Sequence, residues 1–600
     1  MPPNKDPSLE LAVIGNCQVS ALVDELGRMV WACMPRFDSD PVFCALLMGD
    51  QRAVDKGVFE VVLEDCVRAE QAYVENTPIL ETLLHDAHGG CIKLVDFAPR
   101  FEQFERSFHP YMFVRQLIPV TGNPRVTVRL RPAGHYGAEE ARQTFGSNHV
   151  RYLLPEVTLR LTTDASVSSV REERTFRLSK PVSFILGPDE SLPESVARTS
   201  RLLYEQTRNY WRGWVRGLAV PFEWQDAVIR AAITLKLCSY EDTGAIIAAI
   251  TSSIPEAAGT ARNWDYRYCW LRDSFFVVHA LNRLGATRTM EAYLDWILNV
   301  AAGSDGKGLQ PVYGISGEAD LSESTVPHLP GYRGMGPVRV GNQACEQVQN
   351  DVYGAVVLSA AQAFFDRRLG TPAGPAQLEL LEQIAQRAEA LFDQPDAGIW
   401  EYRGRARVHT FSSVMCWAAC DRLARIAAHL GDADRTRRWR EAADRIHEVI
   451  CARAWDAEQG CFTESFDGKS LDASMLLLSD LGFLQPDDPR FRSTVECLER
   501  DLRRGRHMFR YREADDFGEP ETAFNICTFW YINALAQIGR KDEARELFEE
   551  MLNCRTRLGL LSEDLEVKSG ELWGNFPQTY SLVGIILGAI RLSKPWEDAF

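Results

Sequence analysis

The sequence predicts a protein of two domains, an antiparallel β-sandwich followed by a larger domain of α-helices. The chain has 600 residues, which is more than one ordinary domain contains. Residues 11–187 consist mainly of short β-branched, partly alternating runs interrupted by Gly, Pro and Asn. From residue 221 onward nearly every periodic segment has helical spacing. The predicted boundaries are a sandwich over 1–190, a helical linker over 191–220 and a helical domain over 221–600.

The β-region begins with an apolar stretch over 11–34, which breaks at the turn-forming Gly-Asn and Glu-Leu-Gly. Four further apolar runs follow, and one of them contains the turn Thr-Gly-Asn-Pro. Many short strands with such turns are typical of an antiparallel sandwich. The linker, SLPESVARTSRLLYEQTRNYWRGWVRGL, has helical spacing and is opened by Ser and Pro.

About twelve helical segments are expected after the linker, in pairs with no strands between them. They cover 224–240, 273–285, 289–302, 346–368, 376–393, 411–430, 433–453, 471–481, 490–504, 521–538, 541–553 and 577–592. Paired helices form a bundle, a solenoid or a closed double ring, and the lack of a fixed repeat weighs against a simple solenoid. The long Gly- and Pro-rich loop over 303–344 is expected to carry function.

Composition and charge exclude several classes of partner. Hydrophobic residues make up 46% of the chain and charged residues 25%, which is typical of a soluble globular protein with a large core. The net charge of -17 argues against nucleic acid or an anionic membrane as a partner. The longest apolar stretch, 244–254, is too short to span a bilayer. The sequence leaves the oligomeric state open, a homo-oligomer included.

The 15 cysteines are scattered, and the closest pair, Cys416 and Cys420, lies in an apolar helical run. Because no histidine or second cysteine pair has metal-ligand spacing, we interpret this pair as part of a buried helix face. Free, buried thiols fit a reducing compartment. The N-terminus, MPPNKDPSLELAVIGN, lacks the basic and apolar regions of a signal peptide. These observations predict a cytoplasmic protein.

The segment 262–273, RNWDYRYCWLRD, combines two Trp, two Tyr, three Arg and two Asp at the N-terminal end of a predicted apolar helix. Aromatic rings stack on the apolar faces of a sugar, while carboxylates and Arg side chains hydrogen-bond its hydroxyls. The segment therefore suits a site for a neutral polyhydroxyl ligand. The alternative is a buried ion pair with aromatic packing.

Two further segments supply carboxylates among Gly and aromatic residues. Glu401 follows Trp400, and a carboxyl group beside an indole is partly desolvated, which lets it hold a proton near neutrality as a general acid must. The alternative is an exposed loop glutamate. Glu563 lies in an acidic loop over 558–575, where spacing alone does not select the important carboxylate. Another charged cluster, FRYREADDFGEPETAF over 509–524, either binds hydroxyls or lies on the surface.

Four motifs together resemble the bacterial branch of glycoside hydrolase family 15. They are RNWDYRYCWLRD, GIWEYRG, the RY pair before ADDFGEPETAF, and LLSED with GELWGNFPQTYSLVG. The N-terminal segment AVIGNCQVSALVDELGRMVWACMPRFDSDPVFCALL resembles the trehalase-like N-terminal domain. The resemblance covers nearly the whole chain in the same order. It implies a β-sandwich, a linker and an (α/α)6 barrel.

The resemblance also assigns residues. Glu401 corresponds to the general acid and Glu563 to the general base of an inverting hydrolase, so the expected reaction cleaves an α-glucosidic bond without a metal or an organic cofactor. The expected substrate-binding residues are Tyr266 beside the sugar ring, Trp270 and Trp400 as walls, Arg272 and Asp273 on the terminal glucose, and Arg510 on sugar hydroxyls. Arg512 is close enough to Arg510 to leave that register open.

The expected substrate is the small carbohydrate α,α-trehalose, because the N-terminal segment resembles the trehalase-like domain and no signal peptide is visible. The alternatives are a glucoamylase or α-glucosidase acting on maltose, isomaltose or α-glucans, and a non-catalytic carbohydrate-binding protein. A phosphorolytic enzyme is disfavoured, since the acidic loop around Glu563 would repel phosphate.

Overall fold

The computed structural model describes residues 7–49, 56–303, 308–370 and 373–599. Its N-terminal part contains two large antiparallel sheets. In pairing order, the first consists of Ala12–Gly15, Ser20–Val23, Met29–Cys33, Val58–Leu63, Arg125–Arg131 and Phe176–Arg177, with Pro41–Phe43 paired to Met29–Cys33. The second consists of Arg142–Phe145, His149–Leu153, Thr158–Thr163, Val182–Pro188, Phe113–Thr121, Cys91–Phe97, Leu80–Asp86 and Cys66–Tyr73. The antiparallel β-region expected from the sequence is confirmed.

The first three strands of the first sheet are buried on both of their faces. Ile14 packs in the core that the two sheets share, together with Phe184 from the second sheet. On the other face, the buried Trp31 donates a hydrogen bond from Nε1 to the carbonyl oxygen of Ile250, at 2.9 Å, in the helical part of the chain. Burial on both faces explains why the first strands are continuously apolar instead of alternating.

In the described residues, two α-helices accompany the sheets. The short α1 (Val167–Arg171) joins two strands, and α2 (Val196–Arg216) corresponds to the predicted linker helix. Val196, Leu203 and Tyr204 of α2 pack against the outer face of the second sheet. The amphipathic spacing of the linker is therefore satisfied by this sheet.

Eleven α-helices follow in the described residues. They are α3 (Gln225–Leu237), α4 (Leu271–Arg283), α5 (Thr287–Gly303), α6 (Asp351–Ala361), α7 (Pro375–Leu391), α8 (Thr410–His429), α9 (Ala433–Arg453), α10 (Pro489–Leu502), α11 (Asn525–Gln537), α12 (Lys541–Asn553) and α13 (Thr579–Leu592). A 3-10 helix, Ala473–Leu477, lies between α9 and α10. None of the described helices has the length and apolarity needed to cross a bilayer.

Within the described residues, six of these elements contact one another in a closed order. The order is α4, α6, α8, the 3-10 helix Ala473–Leu477, α11 and α13, which returns to α4. The remaining helices pack outside them: α3 on α13, α5 on α4, α7 on α6 and α8, α9 on α8, α10 on the 3-10 helix and α12 on α11. The inner position explains why every residue over 525–536 in α11 is buried, as expected for a helix that is apolar on all sides.

The helix expected over 346–368 is shorter in the structure. A 3-10 turn covers Gln343–Glu346, and α6 begins only at Asp351. Between them the chain is non-helical, and the side chain of Gln349 contacts Arg272 and Glu401. Because a helix through this stretch would change the direction of that side chain, the interruption serves the cavity described below.

Candidate active site

One cavity opens at the end of the ring where inner helices begin. All eight residues singled out in the sequence line it: Tyr266, Trp270, Arg272, Asp273, Trp400, Glu401, Arg510 and Glu563. Arg272 and Asp273 are in the first turn of α4, whereas Gln578 and Tyr580 come from the start of α13. The structure therefore brings together side chains that are more than 300 residues apart in the chain.

Side chains alternate in direction along residues 262–267, ahead of α4. Arg262, Trp264 and Tyr266 line the cavity. Asp265 and Arg267 face away and form a fully buried ion pair at 2.6 Å. The same guanidinium of Arg267 reaches the N-terminal part of the chain at the carbonyl oxygen of Ser39, at 2.9 Å. The period of two therefore separates ligand-facing residues from residues that hold the segment in position.

Glu401 is held by one of its carboxylate oxygens. Its Oε1 accepts hydrogen bonds from Trp270 Nε1 at 2.7 Å and from Arg272 Nη2 and Gln349 Nε2, both at 3.3 Å. Its Oε2 has no hydrogen-bond partner among the described residues. The second oxygen therefore remains available to a ligand in the cavity.

The neighbour of Glu401 in space differs from its neighbour in sequence. The expected indole contact comes from Trp270, while Trp400 donates its own N–H to Asp472 Oδ2 at 2.8 Å. Glu401 has a φ of +58°, a left-handed backbone conformation that is costly for a residue other than Gly. With this backbone conformation, the side chains of Trp400 and Glu401 point in different directions. Such local strain is common at functional sites.

Glu563 lies in a more enclosed part of the cavity and is 1% exposed. Its Oε1 accepts a hydrogen bond from the hydroxyl of Tyr266 at 2.7 Å, and its Oε2 accepts one from the backbone N–H of Asn575 at 3.4 Å. The backbone also approaches closely at Gly574, where φ is +73° and an added Cβ would lie 2.6 Å from the Cβ of Glu563. Only glycine fits this position without displacing Glu563.

Burial raises the pKa of Glu563 well above its usual range, and the nearby carboxylates of Glu256 and Asp564 raise it further. The hydrogen bond from Tyr266 and the charge of Arg510 oppose this shift. Burial likewise raises the pKa of Asp564 to about 8. The site thus concentrates acidic groups in a poorly solvated place, a pattern that is frequent in active sites.

Arg272 and Asp273 lie side by side at the cavity wall. Behind them, Arg272 Nη1 binds Gln349 Oε1 at 2.9 Å and lies 3.5 Å from Asp351 Oδ2. Burial raises the pKa of Asp273 to about 7, and the adjacent Arg272 opposes that shift. Asp351 does not line the cavity and serves instead to hold Arg272.

The structure distinguishes Arg510 from Arg512. Arg510 is buried, lines the cavity and forms an ion pair with Glu256. Arg512 is exposed, and its guanidinium lies 3.3 Å from Asp501. Glu256 also accepts a hydrogen bond from Trp264 Nε1 at 2.8 Å. Sequence reasoning missed Glu256, which comes from the otherwise unremarked stretch SSIPEAAG and meets its partner 254 residues later.

The charged segment 515–518 forms one side of the cavity. Its carboxylates were considered as ligands for hydroxyls, but Asp515 binds Arg262 and Asp516 accepts hydrogen bonds from the backbone N–H of Arg403, at 2.7 Å, and of Gly404. Phe517 packs edge-on against Trp264 with ring centroids 5.0 Å apart, and the guanidinium of Arg403 lies 4.5 Å from the Trp264 ring centroid. These contacts were not foreseen from the sequence. The long loop over 303–344 contributes Asn342 and Ala344 beside them.

In the described part of the chain, no group of three or more His, Cys, Asp or Glu side chains is arranged to hold a metal ion.

A family model described as glycosyl hydrolases family 15 matches residues 224–587, which include every element that lines the cavity. The chain belongs to glycosyl hydrolases family 15. As a member of that family it is a glycoside hydrolase. A second model, described as trehalase-like, N-terminal, matches residues 4–162.

Relatives over the full length agree with this membership of family 15. A protein named trehalase from Thermoplasma volcanium is 31% identical over 97% of this chain and 93% of its own. A protein named trehalase from Mycobacterium tuberculosis is 32% identical over 99% of this chain and 90% of its own. Among solved structures, a bacterial glucoamylase complexed with acarbose has a TM-score of 0.68 over 98% of this chain and 94% of its own, at 13% identity, which shows a shared fold.

Proposed function

We propose that this family 15 enzyme hydrolyses α,α-trehalose to two molecules of glucose in a single displacement with inversion. The observation that carries the proposal is the arrangement of Glu401 and Glu563 in one cavity, each hydrogen-bonded by a different ring of the same short segment. Full-length similarity to proteins named trehalase supports the choice of substrate. Inverting hydrolases use two carboxyl groups about 6.5–9.5 Å apart, with space between them for a sugar and a water molecule.

Glu401 is the proposed general acid. Three hydrogen bonds fix its Oε1, so its Oε2 is the oxygen from which a proton passes to the glycosidic oxygen. The contact with Trp270 orients the carboxyl group, and Arg272 joins it to the proposed glucose-binding residues. A fixed acid needs no reorganisation when the bond to the leaving sugar breaks.

Glu563 is the proposed general base. It takes a proton from a water molecule that attacks the anomeric carbon on the face opposite to Glu401. The hydroxyl of Tyr266 and the positive charge of Arg510 both favour the ionised form that this step requires. Burial acts against that form, so the base works only above its raised pKa.

The terminal glucose is proposed to lie between these carboxylates. Arg272, Asp273 and Arg510 provide charged groups for its hydroxyls, and Trp400 provides an aromatic wall. The ring of Tyr266 lies beside the centre where positive charge develops in the transition state. A neutral sugar is the kind of ligand for which this mixture of rings and paired charges is suited.

The segment 515–518 is proposed to enclose the second glucose. Arg262 and Asp515 hold its beginning, and Phe517 contacts Trp264. A wall that is anchored at several points leaves room for a short leaving group and obstructs a polymer. This arrangement favours a disaccharide over starch as the substrate.

The domain organisation is also part of the proposal. The closed order of inner helices and the helices packed outside them support an (α/α)6 barrel over 221–600. The two sheets support a β-sandwich domain over 1–190, and α2 supports the linker over 191–220. The 15 cysteines are all free, and most of them are buried, which supports a reducing, cytoplasmic location.

The proposal is tested by kcat/KM for trehalose, maltose, isomaltose and soluble starch, measured as glucose release from the purified full-length protein. We expect the highest value for trehalose. Faster turnover of maltose or starch would reject the trehalase assignment and leave an α-glucosidase. No release of glucose from any of them would reject the proposed activity.

A further inference from the structure

A second cavity lies on the side of the helical ring opposite to the proposed active site. Its volume is about 1000 Å³, and it is lined by the later turns of inner helices, including Arg283 near the end of α4 and Arg591 near the end of α13. Trp530 of α11 lines both cavities and therefore forms part of the wall between them. A volume of this size is ample for a small molecule.

The second cavity is rich in arginine although the protein as a whole is acidic. Five guanidinium groups line it, from Arg283, Arg367, Arg422, Arg425 and Arg591. The carboxylates that line it are fewer, and the net charge of the whole chain is -17. The concentration of positive charge at one cavity is therefore a local feature, and a concave site of one sign attracts ions of the opposite sign.

The two carboxylates of this cavity, Asp366 and Asp480, are already engaged. Asp366 forms an ion pair with Arg368 at 2.6 Å, and Arg368 does not line the cavity. Asp480 binds Arg591 at 2.5 Å and also accepts a hydrogen bond from Gln537 at 2.7 Å. Within the described residues, neither carboxylate forms an ion pair with Arg283 or Arg367, although the charge of Asp480 acts on Arg283.

Three of the arginines have protein partners, and two do not. Arg422 and Arg425 share the carboxylate of Asp421, which also binds Arg440. Among the described residues, no acidic group forms an ion pair with Arg283 or Arg367. These two guanidinium groups therefore keep all of their donors for a ligand.

The positive charges of the arginines affect the pKa of a neighbouring histidine. Burial lowers the pKa of His279 to about 4, and the charges of Arg283, Arg422 and Arg591 contribute to that decrease. His279 is consequently neutral near pH 7. Desolvation and the charge of Arg591 also lower the pKa of Arg283, while the charge of Asp480 opposes this shift. A bound anion reduces the electrostatic repulsion between like charges that are held together in this way.

We propose that the second cavity is a binding site for a small molecule that carries a phosphate group. A phosphate presents three acceptor oxygens and about two negative charges, which match several guanidinium forks better than a single carboxylate does. Phe275, Phe365 and Trp530 offer aromatic surface for the rest of an organic phosphate. The position behind Trp530 separates this site from the glucose-binding residues.

A purely structural role would give these arginines a different purpose. Cations near helix C-termini stabilise helices by complementing the helix dipole, and Arg283 and Arg591 occupy such positions. That role does not apply to Arg367, which lies outside the α-helices and still lines the cavity. The two explanations differ in whether a ligand binds, so binding is the quantity to measure.

The test is isothermal titration calorimetry on the full-length protein at low ionic strength, with no glucoside present. The ligands are inorganic phosphate, glucose 6-phosphate and ATP, titrated into the wild type and into the double variant R283Q/R367Q. We expect one site per chain in the wild type and a Kd at least about tenfold higher in the double variant, since two charged hydrogen-bonding groups are removed. Raising the salt concentration weakens the same binding.

R437Q is the matched control, because Arg437 lies on the exposed face of α9 and its one ion pair within the described residues is with Asp434, at 3.2 Å. Its Kd is expected to equal that of the wild type. If the double variant does not fold, the single variants R283Q and R367Q provide the same comparison. Equal affinity for the three ligands shows that the phosphate group alone is sufficient for binding. Tighter binding of an organic phosphate shows that the aromatic side chains of the cavity also contribute. No saturable binding, or the same Kd in R283Q/R367Q, overturns the proposal.

Discussion

Tyr266 and Trp270 lie edge to face with their ring centroids 5.3 Å apart, and each ring hydrogen-bonds a different carboxylate. The Tyr266 hydroxyl donates to Glu563, and the Trp270 indole donates to Glu401, both at 2.7 Å. One short segment therefore controls the positions of both proposed catalytic groups. The separation of these carboxylates depends on the packing of two rings, although the carboxylates belong to distant parts of the chain.

The first prediction concerns the catalytic pair. E401Q and E563Q should each lower kcat for trehalose by about 10²–10⁴-fold, because each removes one proton-transfer group while keeping its shape. Glucose release under substrate saturation measures the effect, and circular dichroism checks the fold. E346Q, which changes an exposed glutamate, serves as the control. Rates near wild type in either active-site variant would remove that residue from its role.

The second prediction concerns pH. The base must be ionised, so kcat/KM should fall as the pH drops through the raised pKa of Glu563. Y266F removes a hydrogen bond that lowers this pKa and should move the acidic limb to higher pH. E256Q removes a negative charge that raises the same pKa and should move the limb to lower pH. Shifts in the same direction for both variants would contradict the assignment of this limb to Glu563.

The third prediction concerns two glycines of one loop. Gly574 and Gly570 have φ values of +73° and +74°, but only Gly574 lacks space for a Cβ, because Glu563 lies against it. G574A and G570A should each lose about 1–2 kcal/mol of stability from backbone strain. Only G574A should also lower kcat, since it displaces the base. Thermal unfolding and steady-state kinetics separate the two effects, and equal loss of kcat in both variants would speak against a steric role.

The fourth prediction compares two arginines of the same segment. R510A should reduce kcat/KM by about 10-fold or more, because a charged hydrogen bond to the sugar is worth about 1.5–3 kcal/mol. R512A, at an exposed position, should leave kcat/KM unchanged. Kinetics with trehalose at substrate concentrations below KM provide the comparison. A larger effect of R512A than of R510A would reverse the assignment.

Local patterns predicted much of this molecule. The alternation and turns of the β-region and the periodicity of helices such as Ala433–Arg453 depend on neighbouring residues, so they can be recognised in the sequence. The cavity-lining residues of the segment 262–273 were recognisable because rings and charges are concentrated there, whereas Trp400, Glu401, Arg510 and Glu563 were assigned by the resemblance to family 15. Arg510 and Arg512 could not be separated in this way, because both follow an aromatic residue and only the fold buries one of them.

Contacts between distant segments were not predictable. Glu256 has no distinctive neighbours, and its function becomes visible only beside Arg510 and Trp264. Trp400 was expected to contact Glu401 because it precedes it, yet the left-handed backbone at Glu401 separates the two side chains. Adjacent residues are neighbours in the sequence, but their side chains do not necessarily point in the same direction.

Inverting hydrolysis of trehalose by Glu401 and Glu563 is tested most directly by proton NMR of the first products. In trehalose both anomeric carbons are α, so attack with inversion releases one β-glucose, while the departing glucose keeps the α configuration. We therefore predict equal amounts of α- and β-glucose before mutarotation, and no such signals from E401Q or E563Q over the same period. Initial formation of α-glucose alone would contradict the account.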